Sequence, residues 1–382
     1  MKSSAQAVII GGGISGACTA YYLAKKGVKD IVLLEKDYIC SGATGRSAAG
    51  IRQQWGTEMN CIISKHSYQV LENLAEELDY PYDVEFKQGG YLLMAATDKE
   101  ARQFKKNVAL QNSLGIESEI LTPQEARKIV PFLNTDPLIL CTFHQKDGHL
   151  NPFHTTQAYI QAARRLGVDI YTSTEVIGID VENNRVSRVK TNQGDIVTDT
   201  VVNTAGGWSQ QVAAMVGVKL PLYSKRHQIL ITEPAEPVLK PMCISFSMNM
   251  YCQQLPHGGF VMGRGDEDEP EDLRMTSGWR FLEDTVKTVT FMLPPLKNVR
   301  ILRQWAGLYN MSPDKQPIYG PVDEVAGFYI AAGFSGHGFM FGPSTGLILA
   351  EYILGEELSL PVKDLTLNRF KEGHLIVEPS VV

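Results

Sequence analysis

Three glycines, Gly11, Gly13 and Gly16, stand directly after a short apolar run, Ala7 to Ile10, and at the head of a helical pattern running from about Ser15 to Lys26. The first glycine permits a tight turn, the second leaves room for a pyrophosphate at the helix N-terminus, and the third lets helix and strand pack closely. A second apolar run, Ile31 to Leu34, leads to Glu35, about 20 residues beyond the triplet, where a carboxylate can accept hydrogen bonds from a ribose. Strand, glycine turn, helix, strand and acid make one βαβ unit suited to an adenine dinucleotide without a 2′-phosphate. That unit alone does not separate FAD from NAD.

Three later segments bear on the choice. ICSGATGRSAAGIRQQW (39–55) is a loop of small residues with Arg46, Arg52 and several hydroxyls, suited to close passage of an extended ligand and its phosphates. VVNTAGGWS (201–209) reads as a strand ending in small residues, which lets the sheet end close to the same ligand. AAGFSGHGFMFGPSTG (331–346) is another strand, glycine turn and helix start, and its helix N-terminus would favour negative charge developing on a reduced flavin ring. This third element speaks for a flavin over a nicotinamide. Taken singly, each glycine loop is also readable as a plain tight turn.

These elements need a frame to bring them together. A chain of 382 residues with 44% hydrophobic content is long enough for two domains or one large domain with an insertion. Helical spacing is expected from Met59 to about Tyr80, over 98–130 with one helix opening at Thr122-Pro123, and from Phe153 to Leu166. Strands are expected at Phe86 to Met94, near 168–172, 176–181, 185–191 and 199–204, and as mixed sheet from Tyr223 to Trp305; the final helix is expected from Phe339. The order interleaves two domains, packed together because no long linker separates them. A net charge of −6 offers nothing to phosphate backbones or anionic lipid, which disfavours nucleic acid and membrane as partners. The six cysteines show no C-x-x-C pair for zinc or an iron–sulfur cluster and read as free thiols in a reducing cytoplasm. Neither a signal peptide nor a membrane span is expected.

The N-terminal VIIGGGISGACTAYYLAKKG with Glu35, the loop SGATGRSAAGIRQQ, the segment VVNTAGGWS and the pair GLYNMSPDKQPIYG and GFSGHGFMFGPSTG resemble the D-amino-acid oxidase family of flavoproteins. Within it the chain is similar to the sarcosine oxidase and glycine oxidase branch, and most to the β subunits of dye-linked proline dehydrogenases. The resemblance covers nearly the whole chain. It implies an α/β fold in which a Rossmann-like FAD-binding domain (1–80, 150–220 and 317–382) is interleaved with an antiparallel-sheet α+β substrate domain (81–149 and 221–316). It implies oxidation of an amine or α-amino acid to an imine, with FAD contacted by Gly11, Gly13, Ile14, Ser15, Gly16, Glu35, Lys36, Ser41, Gly42, Arg46, Ser47, Ala49 and Gly50. Val176, Ala205, Gly206 and Trp208 are expected at the adenine and pyrophosphate. Gly307, Gly333, Gly336, His337, Gly338, Phe339 and Met340 are expected beside the isoalloxazine.

Arg52 matches a carboxylate-binding arginine of the monomeric sarcosine oxidases. The chain departs from those enzymes where they carry a second carboxylate-binding lysine (Met340 here), a lysine over the flavin (Met262), and a flavin-linking cysteine (Gly307), so non-covalent FAD is expected. A glycine-oxidase-like arginine is replaced by Tyr309. These departures favour a dehydrogenase subunit, with an α subunit or external acceptor taking the electrons and FMN at a subunit interface as a further expectation.

Hydride transfer from a neutral amine needs positioning and no dedicated base. Arg52 is a candidate to grip a substrate carboxylate, though an arginine in a glycine-rich loop equally suits a phosphate or surface carboxylate. Tyr251 and Tyr309 are candidates to wall the site, with plain core packing as the alternative. His337 suits contact with the flavin or a second cofactor, or a bond to a buried backbone group. His144, His149 and His154 lack ligand spacing, so no metal is expected, and Asp266 to Asp272 reads as a solvated loop. A self-sufficient oxidase making hydrogen peroxide and a non-redox FAD-binding protein remain the alternatives, and the substrate is open among proline, sarcosine, glycine, hydroxyproline and an opine.

Overall fold

The computed structural model describes residues 1–379. A six-stranded sheet runs in the order Ile318–Pro321, Phe328–Ala332, Val201–Asn203, Ala7–Ile10, Ile31–Leu34, Asp169–Tyr171, parallel except at the edge pair of Ile318–Pro321 with Phe328–Ala332. The runs AVII and IVLL are continuous apolar strands because both faces of this sheet are covered. One face packs under the helices Ile14–Lys25, Pro152–Arg165 and Gly342–Leu354, the other under the three-stranded sheet of Val176–Glu182, Arg185–Thr191 and Gly194–Val197. The first and last of those helices cross closely. A Cβ on Gly342 would stand 2.5 Å from Ile14 Cγ1, and one on Gly346 would stand 2.5 Å from the backbone of Cys18.

The second sheet has eight strands in the order Ile301–Met311, Tyr223–Thr232, Phe260–Arg264, Met250–Gln254, Met242–Ser245, Tyr91–Ala95, Leu140–His144, Glu119–Leu121. It is antiparallel except where Met242–Ser245 runs parallel to Tyr91–Ala95, the pair that joins strands from distant parts of the chain. The helix Trp279–Met292 covers one face through Phe281, Val289 and Met292, which pack against Leu230, Cys252 and Met262. The opposite face looks toward the loop 39–55. A two-stranded ribbon, Gly50–Ile51 with Gly148–His149, ties that loop to the second sheet.

Several boundaries differ from the sequence reading. The strand expected from Phe86 begins at Tyr91, because Gly89 and Gly90 precede it and Gly90 holds φ +85°. The helix from 58 breaks at Asn73 into Glu58–Glu72 and Leu74–Glu77. The stretch 98–130 contains the edge strand Glu119–Leu121, and Thr122 caps the next helix by a reciprocal pair of bonds with Glu125. The region read as continuous sheet to Trp305 contains the helix Trp279–Met292, where Thr and Val lower helix propensity while Phe281, Thr285, Val289 and Met292 keep one buried face at helical spacing. The final helix starts at Gly342 rather than Phe339, after positive-φ turns at Gly333, Ser335 and Gly336. No helix among the described residues is long and apolar enough to cross a membrane.

Candidate active site

The glycine turn leaves Ala7–Ile10 at its C-terminal end. Gly11 has φ +113°, and a side chain there would press on the carbonyl of Thr204 at 2.6 Å. A Cβ on Gly16 would overlap the Gly11 carbonyl and lie 2.8 Å from Thr204 Oγ1. Gly12 N–H donates to Glu35 Oε2 at 2.7 Å and Ile14 N–H to Thr44 Oγ1 at 3.1 Å. The backbone N–H groups of Gly13, Ser15 and Gly16 have no partner among the described residues. Three donors left open at the head of a helix form an anion site.

Beside it lies a second group of expected residues. Glu35, 7% exposed, accepts from Asp37 N–H at 2.9 Å and Ser41 Oγ at 3.2 Å, with no cation within 4 Å among the described residues. Lys36 Nζ stands 3.5 Å over the Trp208 ring, which also lies against Gly42. Gly206 has φ +54° with open space beside it, adjoining Ala205. The Val176 side chain packs in the core against the neighbouring sheet. Arg46 donates to the carbonyls of Ser41 at 3.0 Å and Ala306 at 3.2 Å, and Ser47 turns its hydroxyl back to Thr44 O and Ala49 N–H.

The loop then meets the open face of the second sheet. Trp305 Nε1 donates to Arg46 O at 3.0 Å, Gln253 Nε2 donates to Ala48 O at 2.7 Å, and a Cβ on Gly307 would lie 3.0 Å from Arg46 Cβ. Since alternate residues of a strand share a face, Tyr251, His227 and Tyr309 join them. His227 stacks on Tyr309 (4.2 Å between centroids, 7° between planes) and, at 5.8 Å, on Tyr251, whose hydroxyl lies 3.2 Å from His227 Nε2. Burial lowers His227 to about 4 and lifts Tyr309 to about 12, with Tyr251 and Tyr91 pushed higher still. All four rings are therefore neutral near pH 7. Gly336 (φ +96°) brings the C-terminal glycine loop against this wall, since a Cβ there would reach 2.6 Å from Tyr309 Cε2.

In that loop, Gly333 N–H donates to Asn310 Oδ1 at 2.7 Å, and the N–H groups of Gly338, Phe339 and Met340 have no partner among the described residues. The first helical turn that follows is partly spoken for: Gly342 N–H bonds Phe339 O, and Ser344 N–H bonds Ser67 Oγ. The open donors of this element are therefore the loop amides just ahead of the helix. The side chains of Phe339 and Met340 are core residues at 8% exposure, so Met340 offers a ligand its amide. His337, half-buried, sits edge-on to Trp55 at 4.6 Å, and burial together with the Arg52 charge holds it below its ordinary pKa.

Arg52 is 3% exposed, with its guanidinium 4.0 Å over Trp55 and, among the described residues, one hydrogen bond, from NH1 to Gln54 O at 3.1 Å. Among the described residues no carboxylate comes within the 4 Å of an ion pair, and burial alone pulls its pKa down. A fork of five donors with one bond made is an incomplete site for a carboxylate.

Two sequence expectations are corrected. Met262 does not overlook the cofactor side: it pairs with Cys252 and Leu230 and points into the core beneath Trp279–Met292. The acidic run is not wholly solvated, since Glu269 is 7% exposed and holds Arg226 Nε at 2.5 Å and Gln228 Nε2 at 2.7 Å. Tyr91 and His227, which the sequence reading did not single out, share the site. Their signal is alternation within strands whose register only the folded sheet reveals. No group of three or more metal-ligating side chains occurs among the described residues.

The open amides of both glycine loops, the buried Glu35 and the cations of Arg46 and Lys36, neither in an ion pair among the described residues, fit the pyrophosphate, ribose and ring of a flavin adenine dinucleotide. The family model described as FAD dependent oxidoreductase matches residues 6–352. A sarcosine oxidase subunit beta of Arthrobacter sp is 30% identical over 383 residues, covering 99% of this chain and 94% of that protein. The crystal structure of L-proline dehydrogenase from P. horikoshii has a TM-score of 0.93 at 38% identity, covering 98% of this chain and all of that one (100%). Glycine oxidase from Bacillus cereus aligns with a TM-score of 0.83 at 26% identity, over 93% of this chain and 96% of that one. The chain belongs to the family of FAD-dependent oxidoreductases.

Proposed function

We propose that this chain oxidises the C–N bond of a small amino acid or secondary amine of the proline or sarcosine type to the imine, as the catalytic β subunit of a dehydrogenase complex. The observation that carries the substrate class is Arg52, a buried cation with an unfilled fork beside the aromatic wall. FAD, bound without a covalent link, supplies a hydride acceptor at its N5. Everything else is the work of the chain. Arg52 takes the carboxylate, Tyr251 and Tyr309 confine the carbon skeleton, and the wall keeps bulk water away. Among the described residues no carboxylate comes within ion-pair distance of Arg52, which leaves its fork to the substrate carboxylate. Non-covalent attachment is supported by the cysteines, all six of which are buried with thiols raised above their ordinary pKa.

The division into a cofactor domain (1–80, 150–220, 317–382) and a substrate domain (81–149, 221–316) is supported by the strands, since each of the two large sheets draws its strands from one set of segments. A partner subunit is supported by the relatives named as beta subunits. FMN at the interface with that partner, and a reducing cytoplasmic setting for the free thiols, belong to the same reading.

The test is to incubate the purified flavoprotein with L-proline and with sarcosine, identify the oxidised product by mass spectrometry, and compare dye reduction with oxygen uptake. Dye reduction with little oxygen uptake supports a dehydrogenase, and rapid peroxide formation would transfer the reading to a self-sufficient oxidase. Heat-released cofactors from the complex isolated with its partner would contain FMN as well as FAD.

A further inference from the structure

Arg52 does not sit on a strand or helix of its own. It heads an irregular segment, 52–57, between the short strand Gly50–Ile51 and the helix Glu58–Glu72. Irregular backbone has no ladder to fix it, so its position depends on side chains brought from elsewhere. Two carboxylates do this. Asp147, fully buried, accepts from Gln53 N–H at 2.9 Å and from Gln54 Nε2 at 3.0 Å. At the other end Glu378, 4% exposed, accepts from Gly56 N–H at 2.7 Å, Thr57 Oγ1 at 2.6 Å and Asn60 Nδ2 at 2.8 Å.

Glu378 comes from a part of the chain with no role in the readings above. After the helix Asn368–Lys371 the backbone turns at Gly373 (φ +71°) and runs back across the molecule. That return is anchored by His374 N–H on Arg369 O at 2.8 Å and by Ile376 N–H on Asp314 Oδ2 at 3.3 Å. Asp314 is itself gripped by Arg369 in a buried two-pronged pair, Nε to Oδ2 at 2.8 Å and NH2 to Oδ1 at 3.0 Å. The strap thus has a rigid root and ends at the segment bearing Arg52. Trp55 carries the effect onward: its Nε1 donates to Arg52 O at 3.0 Å, its ring supports the guanidinium, and the same ring meets His337 and Phe341.

We propose that the C-terminal strap is part of the substrate site, with Glu378 as the positioning residue that holds the 52–57 segment so that Arg52 presents its open fork to the substrate carboxylate. Glu378 does this without occupying the guanidinium, since it lies beyond ion-pair distance of Arg52. The inference rests on the reading of Arg52 as the carboxylate anchor.

The experiment uses the FAD-loaded protein and reads the flavin absorbance change on binding cyclopentanecarboxylate, a ring carboxylate with no amine to oxidise. The variants are Glu378→Ala, the milder Glu378→Gln, which keeps one acceptor oxygen, and Arg52→Ala as the reference. Expected are a dissociation constant raised about tenfold in Glu378→Ala and about threefold in Glu378→Gln, with flavin content unchanged. With the oxidisable substrate, KM should rise by the same factors while kcat stays within about twofold. Weakened binding in Arg52→Ala together with normal binding in both Glu378 variants would overturn the inference and leave the Arg52 reading standing. Normal binding in all three would overturn both. Loss of flavin in step with weaker carboxylate binding in Glu378→Gln would mark a general structural role and also overturn the inference.

Discussion

The guanidinium of Arg52 lies 4.0 Å over the ring of Trp55, buried to 3% exposure and without a carboxylate partner among the described residues. A desolvated cation is costly unless something completes it, and the missing group has the chemistry of the substrate. Arg52→Met should therefore lower kcat/KM for an amino acid by roughly 100- to 1,000-fold, about 3–4 kcal/mol. The same variant without substrate should melt no lower than the wild type, because it removes an uncompensated charge. A clear loss of thermal stability would show that Arg52 is a structural residue.

Gly16→Ala tests the anion site. The new methyl would overlap the Gly11 carbonyl and crowd Thr204 Oγ1 at 2.8 Å, a close approach that cannot relax at the far end of a flexible side chain. Overpacking of this kind costs about 1–3 kcal/mol. The purified variant should be colourless and reconstitute poorly with FAD; a normal flavin-to-protein ratio would contradict the placement of the pyrophosphate.

The glycine turn, the first two strands and Glu35 were legible because their residue types are dictated by backbone geometry, which is local. The wall was less so. Tyr251 and Tyr309 look like core aromatics in sequence, and His227 and Tyr91 gave no signal, because which residues share a face depends on register between strands far apart in the chain. Glu269 read as one more surface acid until the loop after Phe260–Arg264 brought it against Arg226 and Gln228. Glu378 lies 322 residues from Gly56, a separation at which no local pattern reports a contact.

His149 pairs with Gly50 in the ribbon that holds the cofactor loop, and it is buried at 5% exposure. Burial depresses its folded-state pKa from 6.5 to about 4, so the stability it contributes is complete above pH 6.5 and is lost as pH falls toward 4. Complete loss is worth about 3 kcal/mol. Flavin release should follow this window on acidification, and His149→Gln should flatten it. An identical acid profile in the variant would remove His149 from the account.

The neutral phenols predict a further pH dependence. Tyr309, raised to about 12, and Tyr91 and Tyr251, raised further, do not ionise between pH 6 and 10. Anaerobic kcat/KM should then rise tenfold per pH unit up to the pKa of the substrate amine and level off there. Tyr251→Phe should keep that pH profile while lowering the rate. A limb that vanishes in Tyr251→Phe would identify the tyrosine as a base.

The most direct measurement is the anaerobic visible spectrum of the FAD-loaded chain titrated with L-proline, sarcosine, glycine and D-amino acids. Bleaching of the flavin band is expected with a carboxylate-bearing amine, proline or sarcosine first, and no bleaching of the Arg52→Met variant at the same concentration. A band that persists with every amine, in the chain alone and in its complex with a partner, would contradict the assignment of amine oxidation to this site.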